Sequence, residues 1–219
     1  MDYSDTTILI PVKDEPAAGS VAKETLAKLP GASVVVVYKG DRSRLNIDFD
    51  DPRMRVEEQK DSGKGAAVRA AMQSIGTRIF CLIDGDATYP VDSLKTVVEM
   101  VRQGADLALG NRFEKLDRKA MPFFIEVGNK IITLVANALY GMHIHDSQTG
   151  LRAMRTASIK ALGLRENGFG IESEINIKAR KAGLRIEETP IGYSVRVGTS
   201  KQMKFVDGVR LLLLNFKFL

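Results

Sequence analysis

The sequence predicts a single α/β domain with a mostly parallel sheet flanked by helices. Short apolar, β-branched runs alternate with helix-forming segments along the whole chain, which is the order of βα units. Neither an internal repeat nor a low-complexity linker interrupts the alternation. The 219 residues, 44% hydrophobic and 27% charged, suit one globular unit with a substantial core.

The elements follow in order. Thr7 to Val12 reads as a buried strand, and Ala17 to Leu29 as a helix stopped by Pro30-Gly31. Val34 to Val37 is a β-branched strand, Met54 to Glu57 a short one, Gly65 to Ser74 a helix, and Arg78 to Ile83 an apolar strand running into Asp84. The helix Val91 to Gln103 and the strand Asp106 to Leu109 come next, and the charged stretch Glu114 to Ala120 reads as a mobile loop. From Phe123 to Leu139, Phe123, Phe124, Val127, Ile131, Leu134, Val135, Ala138 and Leu139 recur at helical spacing, while Glu126, Lys130, Thr133 and Asn137 fall on the other side. Gly150 to Met154, a helix through Glu172 to Ala182 and the strand Arg185 to Thr189 complete the domain, expected over residues 1–204. Residues 205–219 are expected as an apolar tail helix, carrying Leu211 to Leu214, Phe216 and Phe218; it either docks on the core or lies in a membrane interface.

Composition removes several function classes. The one cysteine, Cys81, sits in an apolar run, so a disulfide framework or a thiolate zinc cluster within one chain is excluded. His143 and His145 flank no third ligand at metal spacing, and a zinc site is not expected. The excess of 32 Lys and Arg over 27 Asp and Glu suits a phosphate-bearing ligand or an anionic membrane surface, and no nucleic-acid partner is expected. The polar start, Met1 to Asp5, lacks a signal-peptide pattern, and no uninterrupted apolar stretch approaches the ~18 residues of a spanning helix, so a cytoplasmic active domain is expected.

Three sequence features carry chemistry. Asp84-Gly85-Asp86 follows an apolar strand directly, where open α/β sheets expose their ligand crevice. Two carboxylates separated by a small residue can share a hard divalent cation such as Mg²⁺ or Mn²⁺, although an acidic turn has the same composition. Ser62-Gly63-Lys64-Gly65 opens the helix bearing Arg69, and glycines at a helix N-terminus admit a phosphate to backbone N–H groups as readily as they make a plain helix entry. The spacing is that of neither a P-loop nor a G-x-G-x-x-G turn. The blocks Asp146 to Arg152, Phe169 to Glu174 and Arg196 to Lys201 are unremarkable one by one.

Taken in order from Ile8 to Lys201, these blocks resemble glycosyltransferase family 2, in particular its dolichyl-phosphate (polyprenyl-phosphate) sugar synthase branch. Ile10-Pro11-Val12-Lys13-Asp14-Glu15 is similar to the family's opening nucleotide-binding motif, Gly63-Lys64-Gly65 through Arg69 to its second, and Asp84-Gly85-Asp86 to its metal motif. Gly110 to Phe113, Asp146 to Arg152, Glu172 to Glu174 and Arg196 to Lys201 match the later blocks. The resemblance implies a GT-A fold and an inverting, metal-dependent transfer of a hexose from a nucleotide sugar, UDP favoured over GDP, to a polyprenyl phosphate. Asp84 and Asp86 would hold the metal. Pro11, Lys13, Glu15, Val37, Lys39, Gly63, Lys64, Arg69, Asp84, Gly85 and Lys201 are the implied donor-side contacts, and Arg112, Arg196 and Lys201 the implied cradle for the acceptor phosphate. The chain departs from the pattern where Val37-Tyr38-Lys39-Gly40-Asp41 replaces an acidic pair, at Lys13 in place of an aromatic residue, and at Thr88 in place of a polar amide.

A lipid acceptor implies a peripheral protein at the cytosolic face of a membrane. The alternatives are a transferase acting on a soluble phosphorylated acceptor such as 3-phosphoglycerate, a sugar-nucleotide pyrophosphorylase, and a non-catalytic membrane-associated module. The pyrophosphorylase reading lacks its Gly-rich loop, since Lys13-Asp14-Glu15-Pro16 stands after the first strand.

Overall fold

The structure, a computed structural model, describes residues 1–196 and 205–219, with Phe205 and Val206 described by backbone alone. Seven strands form one sheet in the order β3-β2-β1-β4-β6-β5-β7. These are β1 Thr6–Lys13, β2 Ser33–Lys39, β3 Met54–Glu58, β4 Ile79–Leu82, β5 Leu107–Leu116, β6 Arg152–Arg155 and β7 Ile186–Tyr193. Only β6 runs antiparallel, wedged between β4 and β5. The helices are α1 Ala18–Lys28, α2 Lys64–Ser74, α3 Ser93–Arg102, α4 Phe123–Tyr140, α5 Thr156–Ala161, α6 Ile171–Lys181 and α7 Phe205–Lys217.

The apolar runs of β1, β2 and β4 are continuous because helices cover both faces. Ile8, Ile10, Val34, Val36, Ile79 and Cys81 enter one core with Val21, Leu26, Leu94 and Val97 of α1 and α3. Leu9, Val35, Val37, Phe80 and Leu82 enter the other with Ala67, Ala71, Ile159 and Ile175 of α2, α5 and α6. The sheet therefore separates two cores, and the carboxyl ends of β1, β2 and β4 come out along one edge.

One expectation needs correction. Residues 114–116 are not loop: β5 continues to Leu116 and, past an irregularity between Asn111 and Lys115, pairs with Gly192 and Tyr193 of β7. The long helix α4 is turned the opposite way from an ordinary amphipathic helix. Its polar side faces the protein, with Glu126, Asn129 and Thr133 buried, while Phe123 is 75%, Phe124 64% and Leu134 67% exposed. The inward groups are satisfied. Thr133 Oγ1 lies 2.8 Å from Ser147 Oγ and accepts the Ser147 N–H at 3.1 Å, and Asn137 Nδ2 donates to the Ile144 carbonyl at 2.7 Å. By length and composition α4 is apolar enough to cross a membrane, although Glu126, Asn129, Lys130, Thr133 and Asn137 interrupt its apolar run. The tail helix α7 packs on α4 and α6 through buried Leu211 and Asn215, leaving Leu213 and Phe216 outward.

The glycines at the start of α2 serve protein packing. Gly63 has φ 109°, and a Cβ there or at Gly65 would strike the carbonyls of Asn167 and Glu166. Gly63→Ala combines positive-φ strain with this backbone clash, about 1–3 kcal/mol or more, so a melting temperature several degrees below wild type is expected by thermal denaturation.

Candidate active site

The turn after β4 gathers the charges. Asp84 and Asp86 flank Gly85, whose missing Cβ makes room for Val12 and Ile10 of β1, so no larger residue fits between the two carboxylates. Ala87 adopts φ 59°, an uncommon conformation for a residue with a side chain, and it curls the turn so that Thr88 reaches back. Thr88 Oγ1 donates to Asp86 Oδ1 at 2.7 Å and its N–H to the same oxygen at 3.2 Å. The departure at Thr88 thus supplies a hydroxyl that orients the second carboxylate. Gly150, opposite, is small because a Cβ would strike the Asp84 carboxyl. Its N–H donates to the Tyr89 hydroxyl at 2.7 Å.

Cations bracket the pair. Lys64 Nζ lies 2.5 Å from Asp84 Oδ1 and 2.7 Å from Glu172 Oε1. Arg196 bonds Glu15 and stands 3.6 Å from Asp86 Oδ2. Burial lowers the proton affinity of Lys64, but the charges of Asp84 and Glu172 outweigh burial and raise it, so its charge is secure. The Asp86 carboxyl is pushed up, first by burial and then by the charge of Asp84.

The two aspartates suit a hard cation held jointly with phosphate oxygens. Their mutual repulsion is what a divalent ion relieves, and hard ions prefer carboxylate and phosphate oxygen. Among the described residues, no group of three or more His, Cys, Asp or Glu side chains converges on a metal position. The carboxylate pair is therefore suited to an ion that shares its coordination with a diphosphate and water.

The other site residues predicted from sequence fall into place unevenly. Pro11, Lys13 and Glu15 line the end of β1 and its turn, with Glu15 buried and Lys13 exposed. Val37 and Lys39 end β2, where Lys39 Nζ donates to the Gln59 and Lys60 carbonyls, both at 3.0 Å. Arg69 bonds the Asn167 side chain. At the α2 N-terminus the N–H groups of Gly65 and Ala66 donate to the Gly168 and Asn167 carbonyls at 3.2 and 3.0 Å. Only the Lys64 side chain points to the aspartates. Lys201 lies outside the described residues.

Arg112, predicted for the acceptor phosphate, is paired within the protein. The irregularity in β5 turns it inward, where Nε and Nη2 donate to Asp146 at 2.6 and 2.8 Å and its backbone N–H to the same carboxylate at 3.2 Å. Its guanidinium also lies 5.2 Å from the Tyr193 ring, which packs edge-on against Tyr89. Glu172, Tyr89, Tyr193 and Gly150 were not singled out as site residues. Their signal is tertiary, although Glu172 stands in a recognised block.

Comparison with known proteins agrees with this geometry. The profile described as Glycosyl transferase family 2 matches residues 40–163. A dolichyl-phosphate hexose transferase of Haloferax volcanii is 31% identical over 198 residues, or 90% of this chain and 86% of that protein. A UDP-N-acetylglucosamine–dolichyl-phosphate N-acetylglucosaminyltransferase of Methanococcus voltae is 28% identical over 172 residues, 73% of this chain and 68% of that one. Among solved structures, glucosyl-3-phosphoglycerate synthase of Mycobacterium tuberculosis, crystallised with Mn²⁺, UDP and phosphoglyceric acid, matches at TM-score 0.73 and 16% identity over 96% of this chain and 78% of that one. The fold and the carboxylate-bearing crevice define a sugar transferase domain of the GT-A type. The chain belongs to glycosyl transferase family 2 and is a glycosyltransferase.

Removing one partner of a buried ion pair strands the other. Arg112→Met is expected to cost about 3–5 kcal/mol, read as a lower denaturation midpoint, whereas Asp86→Asn keeps a near-wild-type midpoint.

Proposed function

We propose that this protein is an inverting, metal-dependent transferase that moves a hexose from a nucleotide sugar to a polyprenyl or dolichyl phosphate at the cytosolic membrane surface. The outward apolar face of α4 carries the lipid part of this reading. Phe123, Phe124, Val127, Ile131 and Leu134 are exposed there, and the polar face behind them hydrogen-bonds the 144–147 segment that bears Asp146. A surface that enters the headgroup boundary is thereby tied to the wall of the crevice. Exposed Lys115, Arg118, Lys119 and Lys130 supply attraction to anionic headgroups.

Transfer with inversion needs the acceptor oxygen and the leaving diphosphate on opposite sides of the anomeric carbon, with the departing charge neutralised. A bound Mg²⁺ or Mn²⁺ supplies that neutralisation. Asp84 and Asp86 would hold it, Thr88 fixes the Asp86 carboxylate, and Lys64 would add positive charge near the diphosphate. A phosphate monoester is anionic at neutral pH, so the acceptor needs cations and no dedicated base. Arg196, and Lys201 beyond it, are assigned to that phosphate; Arg112 stiffens the wall through Asp146. UDP is favoured over GDP because the Methanococcus relative is named for a UDP-sugar.

UDP- and GDP-sugars assayed against short polyprenyl phosphates and soluble phosphates, with Mn²⁺, test the reading. Transfer to the polyprenyl phosphate is expected, lost in EDTA and reduced by about 10²-fold or more in Asp86→Asn; wild-type rates in either case overturn the metal assignment.

The Phe124→Ser/Leu134→Ser variant is expected to sediment less with anionic liposomes and to slow transfer to long-chain lipid phosphate, while transfer to a short soluble analogue stays near normal. Equal loss on both acceptors with a lowered melting temperature would show that this face packs against protein.

A further inference from the structure

Glu172 lies in the first turn of α6, nearly fully buried, and directs one carboxylate oxygen to Lys64 at 2.7 Å. Its second oxygen, Oε2, is buried and has no hydrogen-bond partner among the described residues. A buried carboxylate with half of its acceptor capacity unused is costly unless something employs it. A mobile donor already at this carboxylate is the Lys64 ammonium, which has three N–H groups and is divided between Glu172 and Asp84.

The surroundings hold Glu172 in place. The positive end of α6 favours its charge. Arg152, fully buried on β6, makes hydrogen bonds among the described residues only to neutral groups, donating to the Asn176 side chain at 3.1 Å and to the Thr149 and Glu172 carbonyls. Burial lowers its proton affinity and the charge of Glu172 raises it, so Glu172 also balances a cation that has no carboxylate of its own. The segment 166–168, docked on the start of α2 through Gly63 and Gly65, sets the distance between the two helix ends that bring Lys64 and Glu172 together.

We propose that Glu172 is a positioning residue that draws the Lys64 ammonium off Asp84 Oδ1 when a divalent cation arrives, keeping it on the crevice side where its charge would still face the diphosphate. The Lys64 ammonium occupies Asp84 Oδ1, one of the oxygens that a divalent cation would use, and an ammonium left there would repel the ion. Glu172 offers the ammonium a second oxygen, so Lys64 swings to a fully Glu172-bound position and Asp84 is released. The inference rests on the metal-dependent reading above, and its test separates the two.

Mn²⁺ binding to the full chain, followed by electron paramagnetic resonance without nucleotide, reads the effect apart from catalysis. Lys64→Gln is expected to tighten Mn²⁺ binding and Glu172→Gln to weaken it, each by roughly three- to tenfold. Because Glu172 acts through Lys64, the double variant is expected to follow Lys64→Gln and bind more tightly than wild type. A double variant that returns to the wild-type affinity would mean that the two charges act independently through space, and the proposal fails. It fails equally if Glu172→Gln lowers the melting temperature without moving Mn²⁺ affinity. Should Glu172→Gln not fold, Lys64→Gln decides alone, and unchanged or weaker binding rejects the proposal. Wild-type Mn²⁺ binding that Asp86→Asn leaves untouched would overturn the metal reading itself, whereas binding that Asp86→Asn weakens and the two Lys64 and Glu172 variants do not alter overturns only the role of Glu172.

Discussion

Two carboxylates held one residue apart at the end of a buried strand are the constraint on which the rest of this structure depends. Asp84 and Asp86 repel each other in a partly desolvated crevice, and the protein surrounds them with counter-charge drawn from distant parts of the chain. Lys64 comes from α2, Arg196 from beyond β7, and Glu172 and Glu15 balance these cations in turn. The glycines nearby follow from the same crowding: Gly85 admits β1 side chains and Gly150 admits the Asp84 carboxyl.

The second organising feature is the inverted helix α4. A helix normally buries its apolar stripe, and here hydrogen bonds from Thr133 and Asn137 to the 144–147 segment set the orientation instead. That segment positions Asp146, which fixes Arg112 at the β5 irregularity and, through it, the edge-on pair Tyr193 and Tyr89 beside the aspartates. A surface suited to lipid and a crevice suited to a diphosphate are thus connected through a few buried polar contacts. Truncating those contacts would uncouple the two without touching either.

Much of the fold was legible in the order of residues. The runs at β1, β2 and β4 announced strands covered on both sides, and Asp84-Gly85-Asp86 stood where a crevice opens, because local apolar pattern and strand-end position are properties of neighbouring residues. The antiparallel β6 and the extension of β5 through charged residues to Leu116 were not legible, because pairing with a distant β7 overrides the local preference for loop. Nor was the state of Arg112. A basic residue beside a crevice reads as a ligand contact, and only the fold shows that its partner Asp146, 34 positions away, holds the Nε and Nη2 side of its guanidinium.

The sequence by itself determined the α/β class, the carboxylate turn and the apolar character of the Phe123 to Leu139 helix, since each resides in short-range pattern. Only the tertiary structure decided which side of that helix faces outward, that the Gly63 and Gly65 turn receives the 166–168 backbone, and that Lys64 is divided between Asp84 and Glu172. Each of these depends on groups far apart in the chain competing for the same buried hydrogen bonds and charges, and that competition is settled only when the elements pack.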